Sequence, residues 1–328
     1  MPETAASVES LSPAARHGRF WNWLPDHVDT RIRVFAWLSF LAETIIIGTG
    51  GAVRLSGSGL GCSEWPLCTP ESLVPTIEQG YHGVIEFGNR TMTGVVGLLA
   101  LAVVILLWRI RRERRDLFTL SVVILLGGII PQAIVGGITV ITRLNPFIVG
   151  FHYTASLLLV CVTAAFLLRM GQPAGPRERV VPAWFAMLTH VTGLALVLTI
   201  AFGVLTTGSG PHSGDADIKR HGFDASILAH VHSWPGYILA ALVLTLAILA
   251  WQMRLQPRTW LLVLILAIGV QVGVGVIQAR NGLPEVLVGI HMVLAALSTA
   301  TYTIVVLMLK KPVAEGAAPA PAAYAADA

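Results

Sequence analysis

The sequence predicts an all-α polytopic membrane protein, its eight transmembrane helices arranged as two pseudo-symmetric four-helix bundles with both termini cytoplasmic. Three observations lead there: composition, the spacing of apolar runs, and an internal repeat. The 328 residues are 55% hydrophobic and only 12% charged, against roughly 25% charged in a soluble domain, and the mean hydropathy is +0.72. A hydrocarbon core of ~30 Å needs about 20 apolar residues per helix. Runs of that kind fall at 34–53, 84–108, 117–140, 148–168, 182–205, 227–251, 259–279 and 286–309.

Orientation follows from the basic residues, which concentrate in cytoplasmic loops. With both ends inside, the outer side holds only Arg54, Arg90, Arg143, Lys219, Arg220 and Arg280, which leaves 16 of the 22 Lys and Arg on the inner side. The same bias accounts for the net charge of +4 and makes a nucleic-acid partner unnecessary. "RIRRERRD" at 109–116 reads as a topology signal facing the cytoplasm. Residues 1–30 are expected to be a cytoplasmic segment without a cleavable signal peptide, because the first apolar run follows about thirty polar residues and is full length. Residues 312–328 are Ala- and Pro-rich and are expected to be disordered.

The chain repeats itself. "LSGSG" (55–59) recurs as "TTGSG" (206–210), and Asn89 with Trp108 recurs as His232 with Trp251. Gln132, Gly136 and His152 recur as Gln271, Gly275 and His291 with identical spacing. Each half holds an even number of spans, so the copies keep one orientation, related by an axis along the membrane normal. The division expected is 31–170 for the first bundle and 180–311 for the second.

His152, His232 and His291 all fall near the outer ends of even-numbered spans, and Asn89 holds the fourth equivalent position. One such histidine alone would suggest a hydrogen-bonded core residue. Ionisable groups inside a membrane are functional candidates, and repetition in register favours imidazoles that grip an iron between facing helices. An iron porphyrin needs one or two axial imidazoles and an apolar slot, whereas a tetrahedral zinc site needs three or four clustered ligands. Gly94, Gly97, Ala229, Ser233, Gly236 and Ala240 would give a flat macrocycle room. Arg54, Arg90, Arg143 and Arg280 lie at the same end, where they can meet propionates, helix ends or headgroups. "HVH" points His230 and His232 about 200° apart; the repeat register favours His232, with His230 the alternative. His190 has no repeat partner and reads as structural, while His17, His27 and His221 lie in polar, solvated segments.

In "IEFGNRTMTG" (85–94), Glu86, Asn89, Arg90 and Thr93 share one helix face inside an apolar run. A carboxylate, an amide and a guanidinium there are not expected to face lipid, and the structural reading of Glu86 is an ion pair with Arg90. Cys62 and Cys68 bracket "CSEWPLC" in the first outer loop, on the oxidising side where a disulfide persists. They read as a brace or as an exposed redox pair. Cys161 reads as a small apolar filler.

Together, "RLSGSGLGCSEWPLC", "IEFGNR", "GSGPHSGD" and the two helices "VGFHYTASL" and "VGIHMVLAA" resemble haem A synthase, the membrane enzyme that oxidises a methyl group of haem O to the formyl group of haem A. The resemblance runs from about Arg31 to Lys310. It implies an oxidoreductase with haem O as substrate in the N-terminal bundle and haem b as cofactor in the C-terminal one. It makes Glu86 the catalytic carboxylate, His152 a ligand of the substrate haem, and His232 with His291 the axial pair of haem b. By their positions in the repeat, Asn89, Arg90 and Arg143 would line the substrate haem, with Arg54 and Arg280 as propionate contacts. Cys62 and Cys68 would be the loop pair tied to its redox chemistry. It also implies a plasma-membrane location with the haem sites toward the extracytoplasmic side, and haem O synthase and terminal oxidase assembly factors as partners. Two positions depart from the family pattern: Asn89 stands where many members carry His, and the loop at 206–226 lacks the second cysteine pair of some members. The alternatives are a dihaem b-type electron-transfer cytochrome, which would use four axial histidines, and a membrane thiol oxidoreductase, which would use Cys62 and Cys68 alone.

Overall fold

The computed structural model describes residues 19–212, 214–215 and 222–313. Within them eight helices are long and apolar enough to cross a membrane: Thr30–Leu55, Ile77–Leu107, Arg115–Ile141, Pro146–Met170, Ala183–Ser209, Ala225–Gln252, Arg258–Arg280 and Glu285–Leu307. They are called the first to eighth spans below. The protein is an all-α, multi-pass membrane protein, as the length and spacing of the apolar runs predict.

Span ends follow local chemistry. Asp29 accepts from Ile32 N–H at the start of the first span, Asn145 from Phe147 N–H at the fourth, and Asp224 from Ser226 and Ile227 N–H at the sixth. Each side chain satisfies donors that the first helical turn leaves without partners. The third span is interrupted by a π turn, Val123–Ile129, just before Pro131. Proline lacks an N–H and its ring crowds the carbonyl four residues earlier, and a widened turn relieves that crowding.

Neighbouring spans close into two rings. First meets second, second meets third, third meets fourth, and fourth returns to the first; the fifth to eighth spans repeat this circuit. The eighth span also packs on the first and fourth, and the fourth on the fifth, so the rings share a seam. Ile32, Val103, Leu107, Leu117 and Phe166 fill the core of the first ring, and Phe185, Leu239, Leu246, Leu261 and Val305 that of the second. Across the seam, Ile47, Leu157 and Val160 meet Ala296 and Ala300. Small residues let backbones approach where lipid supplies no hydrophobic drive for association, and Tyr153 Oη donates to Met292 C=O there at 3.0 Å. On the outside, Leu98 and Leu266 are each 69% exposed, as suits side chains that face acyl chains.

Two details differ from expectation. The eighth span stops at Leu307, and β2 (Lys310–Pro312) pairs antiparallel with β1 (Arg177–Arg179) in the connection between the rings. Val313 N–H then donates to Pro176 C=O at 3.0 Å. The expected disordered tail at 312–328 therefore begins with two ordered residues, because backbone groups leaving the last helix find partners in the inter-ring linker. The remainder of that tail, most of the 1–30 segment, and His17, Lys219, Arg220 and His221 lie outside the described residues.

Candidate functional site

His232 and His291 come together in the second ring with ring centroids 6.3 Å apart and planes at 81°. Two metal–nitrogen bonds of about 2 Å each, with each ring centre about 1 Å beyond its nitrogen, require roughly that separation. His232 Nδ1 pairs with Thr199 C=O at 2.8 Å, which leaves Nε2 as the nitrogen available to a metal. Thus the donor set fits a haem iron held by two imidazoles. His230, the alternative, is exposed on the opposite side of the helix and bonds back to Ser226 C=O at 2.8 Å. Pro235, three residues beyond His232, sits inside the same helix.

Each imidazole rests against a glycine of the preceding span. A Cβ on Gly203 would stand 2.9 Å from His232 Cε1, one on Gly275 3.1 Å from His291 Cε1, and one on Gly136 3.5 Å from His152 Cε1. Gln132 and Gln271 donate in turn to the carbonyls of His152 and His291, at 2.9 and 3.0 Å. The residues that recur in sequence therefore recur as contacts. They seat a ring and brace the helix that bears it.

In the first ring, His152 is partly buried, and among the described residues its Nδ1 reaches no hydrogen-bond partner. Asn89, at the equivalent of His232, accepts from Thr49 Oγ1 at 2.7 Å and lies beside Gly50 of the first span. The one-face stripe of the sequence divides here. Asn89 turns to the first span, whereas Glu86 and Arg90 turn to the disulfide loop.

That loop is built around Arg90. Its Nη1 donates to Glu64 and Leu67 carbonyls at 2.9 Å each, its Nη2 to Cys62 C=O at 3.0 Å, and its Nε and Nη2 both to Glu86 Oε1. A guanidinium has five N–H donors, and all five are engaged. Glu86, 4% exposed, accepts Cys62 N–H on Oε2 at 2.7 Å. Cys62 and Cys68 form a disulfide, and both residues are fully buried. The pair is therefore not the exposed one the loop position suggested, because Trp65 folds down on Gly137 of the third span, where any side chain would collide with its ring.

The other arginines separate into two kinds. Arg54 donates to His212 C=O at 2.6 Å and to Thr207 C=O, tying the first span to the C-terminal end of the fifth. Arg143 and Arg280 are exposed, and among the described residues neither forms an ion pair. His190 faces outward from the fifth span instead of filling the core, and His27 pairs with Asp26 at 2.7 Å. Sequence reasoning passed over His82, which pairs with Ser58 Oγ at 2.9 Å beside the loop, and Thr199. It also passed over Glu43, although an acidic residue within an apolar run was signal enough.

Residues 33–211 match the COX15-CtaA family, cytochrome oxidase assembly protein. Among curated relatives, heme A synthase of Exiguobacterium sibiricum is 31% identical over 185 residues, 53% of this chain and 60% of the relative. Heme A synthase of Bacillus pumilus is 28% identical over 186 residues, 54% and 57% of the two chains. Heme A synthase of Listeria welshimeri is 29% identical over 140 residues, 42% and 45%. The chain thus spans about half the length of the curated relatives it matches. The family match covers more than half of the chain and contains Cys62, Cys68, Glu86 and His152, so the chain belongs to the COX15-CtaA family of cytochrome oxidase assembly proteins.

Proposed function

We propose that this protein is a haem A synthase of the plasma membrane, which oxidises a methyl group of haem O to a formyl group by two successive hydroxylations, each taking its oxygen from water and releasing two protons and two electrons, the electrons passing to an external one-electron acceptor and the resulting geminal diol losing water to leave the aldehyde. The observation that carries this is the inequality of the two rings. One presents an imidazole pair at metal-spanning distance, His232 and His291. The other presents one imidazole, His152, an amide, Asn89, and a buried carboxylate, Glu86.

His232 and His291 of residues 180–311 would hold haem b, which would supply one-electron redox capacity. Residues 31–170 hold haem O on His152, with Asn89 beside it and Arg143 at the outer end, and Arg280 at the corresponding place in the other half. A site with one strong ligand suits a molecule that must enter and leave. Arg90 and the Cys62 N–H hold Glu86 in place. It takes up a proton as the methyl is oxidised, or balances positive charge developing at the methyl carbon. Arg90 positions Glu86, since its five donors are already engaged, and Arg54 joins the two halves. Both termini lie in the cytoplasm with the haem sites toward the outer face, and haem O synthase and terminal oxidase assembly factors are the partners that deliver substrate and receive product.

Extraction and chromatographic separation of the haems of the purified protein tests this. Haem b together with haem O or haem A supports it. Haem b alone at two per chain would make the protein an electron-transfer cytochrome.

A further inference from the structure

Asn89 stands in the second span where the repeat puts His232 in the sixth. The two side chains are seated alike. His232 lies against Gly203 and pairs with Thr199 C=O, both of the fifth span. Asn89 pairs with Thr49 of the first span and lies against Gly50, where an added Cβ would stand 3.8 Å from Oδ1 and 3.9 Å from Nδ2. On the fourth span, His152 repeats the contacts that position His291 on the eighth: a glycine of the preceding span beside Cε1, and a glutamine amide on the backbone carbonyl. The Nδ1 of both imidazoles is enclosed and, among the described residues, has no partner, which leaves Nε2 as the nitrogen free to bind a metal. In the second ring these facing positions bring the imidazole centroids 6.3 Å apart.

The first ring therefore keeps the frame of an axial pair and changes one member of it. The side chains that hold haem iron are imidazole, thiolate, thioether and phenolate. A neutral amide is not among them, and it is shorter than an imidazole, so Asn89 does not complete the pair. Its hydrogen bonds give it a different part. Thr49 Oγ1 donates to Oδ1 at 2.7 Å, a closer contact than the 3.2 Å from the same hydroxyl to Ile46 C=O. With its oxygen engaged, the amide keeps two N–H donors for other partners. Among the described residues no group accepts from Nδ2. Nor is that nitrogen sealed into the packing, as Nδ1 of His152 is.

We propose that the first ring contains a small-ligand site between Asn89 and His152. A haem iron bound there has His152 on one face and, on the other, an open axial position that takes a small neutral molecule able to accept a hydrogen bond, such as water. Asn89 Nδ2 is the donor, held in that orientation by the Thr49 hydroxyl. This rests on His152 binding a haem, as proposed above, and not on which haem it is. An iron held by both His232 and His291 has its two axial positions filled and takes no such ligand. The repeat thus builds one closed and one open iron site from the same frame, and the difference lies in a single side chain.

Carbon monoxide is the probe, added to the reduced full-length protein carrying two haems per chain, with the ligand's stretching band read by infrared spectroscopy. The wild type should bind it at the first-ring iron only. In Asn89→His an imidazole fills the open position, so binding should be lost and a second low-spin signal should appear. Asn89→Ala should still bind, about fivefold more weakly, as the loss of one hydrogen bond predicts. Its band should move to higher frequency, because no N–H dipole then lies beside the ligand's outer atom. If Asn89 only tied the second span to the first, Asn89→Ala would lose thermal stability and leave the band in place. No binding by the wild type, wild-type binding in Asn89→His, or an unmoved band in Asn89→Ala would each overturn the proposal. Should Asn89→Ala fail to accumulate, Asn89→His decides. Haem extraction tests the other reading separately: haem b alone at two per chain would remove the synthase activity and leave this site standing.

Discussion

The backbone N–H of Cys62 donates to Glu86 Oε2 at 2.7 Å, so the proposed catalytic carboxylate and the disulfide loop form one unit across 24 residues of chain. Glu86→Gln keeps the volume and can still accept from Cys62 N–H, but it carries no charge. We expect it to retain haem b and to stop conversion of haem O, or to accumulate the hydroxylated intermediate. Haem chromatography on the variant checks this, and unchanged haem A formation would place the catalytic group elsewhere.

The double variant Cys62→Ser, Cys68→Ser removes a short cross-link, for which chain entropy predicts a loss of about 2 kcal/mol. Because the loop also holds Glu86, turnover should fall together with thermal stability. Thermal unfolding and activity, measured in parallel, report the two effects; full activity in a destabilised variant would mean that the disulfide only braces the fold.

Arg90→Lys keeps the charge and loses the fork that reaches three loop carbonyls and Glu86 together. Charge-assisted bonds of this kind contribute about 1.5–3 kcal/mol each. Limited proteolysis should therefore cut the 62–68 loop faster in this variant, while the haem b spectrum stays as in the wild type.

Replacing His232 or His291 with Ala should abolish the low-spin b-type spectrum, since each imidazole supplies one axial position. His230→Ala should leave it intact, because that ring faces outward and bonds its own helix. Optical spectra of the three variants suffice, and a six-coordinate b spectrum in His232→Ala would move the ligand elsewhere.

A methyl group added by Gly275→Ala would stand 3.1 Å from the His291 ring, and one added by Gly203→Ala 2.9 Å from His232. Either should rotate an imidazole away from the 81° crossing of the pair. We expect the electron paramagnetic resonance signal of the low-spin iron to shift and haem b occupancy to drop. An unaltered signal would show that these glycines do not set the ring angle.

Hydropathy, the distribution of Lys and Arg and the internal repeat are properties of neighbouring residues. The sequence alone therefore determined the eight spans, the recurrence of Gln132, Gly136 and His152 as Gln271, Gly275 and His291, and the outward half-turn between His230 and His232. What the tertiary structure decided is which partner each polar side chain takes. Helical spacing put Glu86, Asn89 and Arg90 on one face, yet packing sent the first and third to the loop and the second to Thr49, because three of the five Arg90 guanidinium hydrogen bonds go to carbonyls 23–28 residues away. Arg54 met carbonyls 153 and 158 residues away, and Glu43 a hydroxyl 120 residues away. A buried polar group must find its hydrogen bonds wherever the fold supplies them, and the supply depends on how helices distant in sequence pack together.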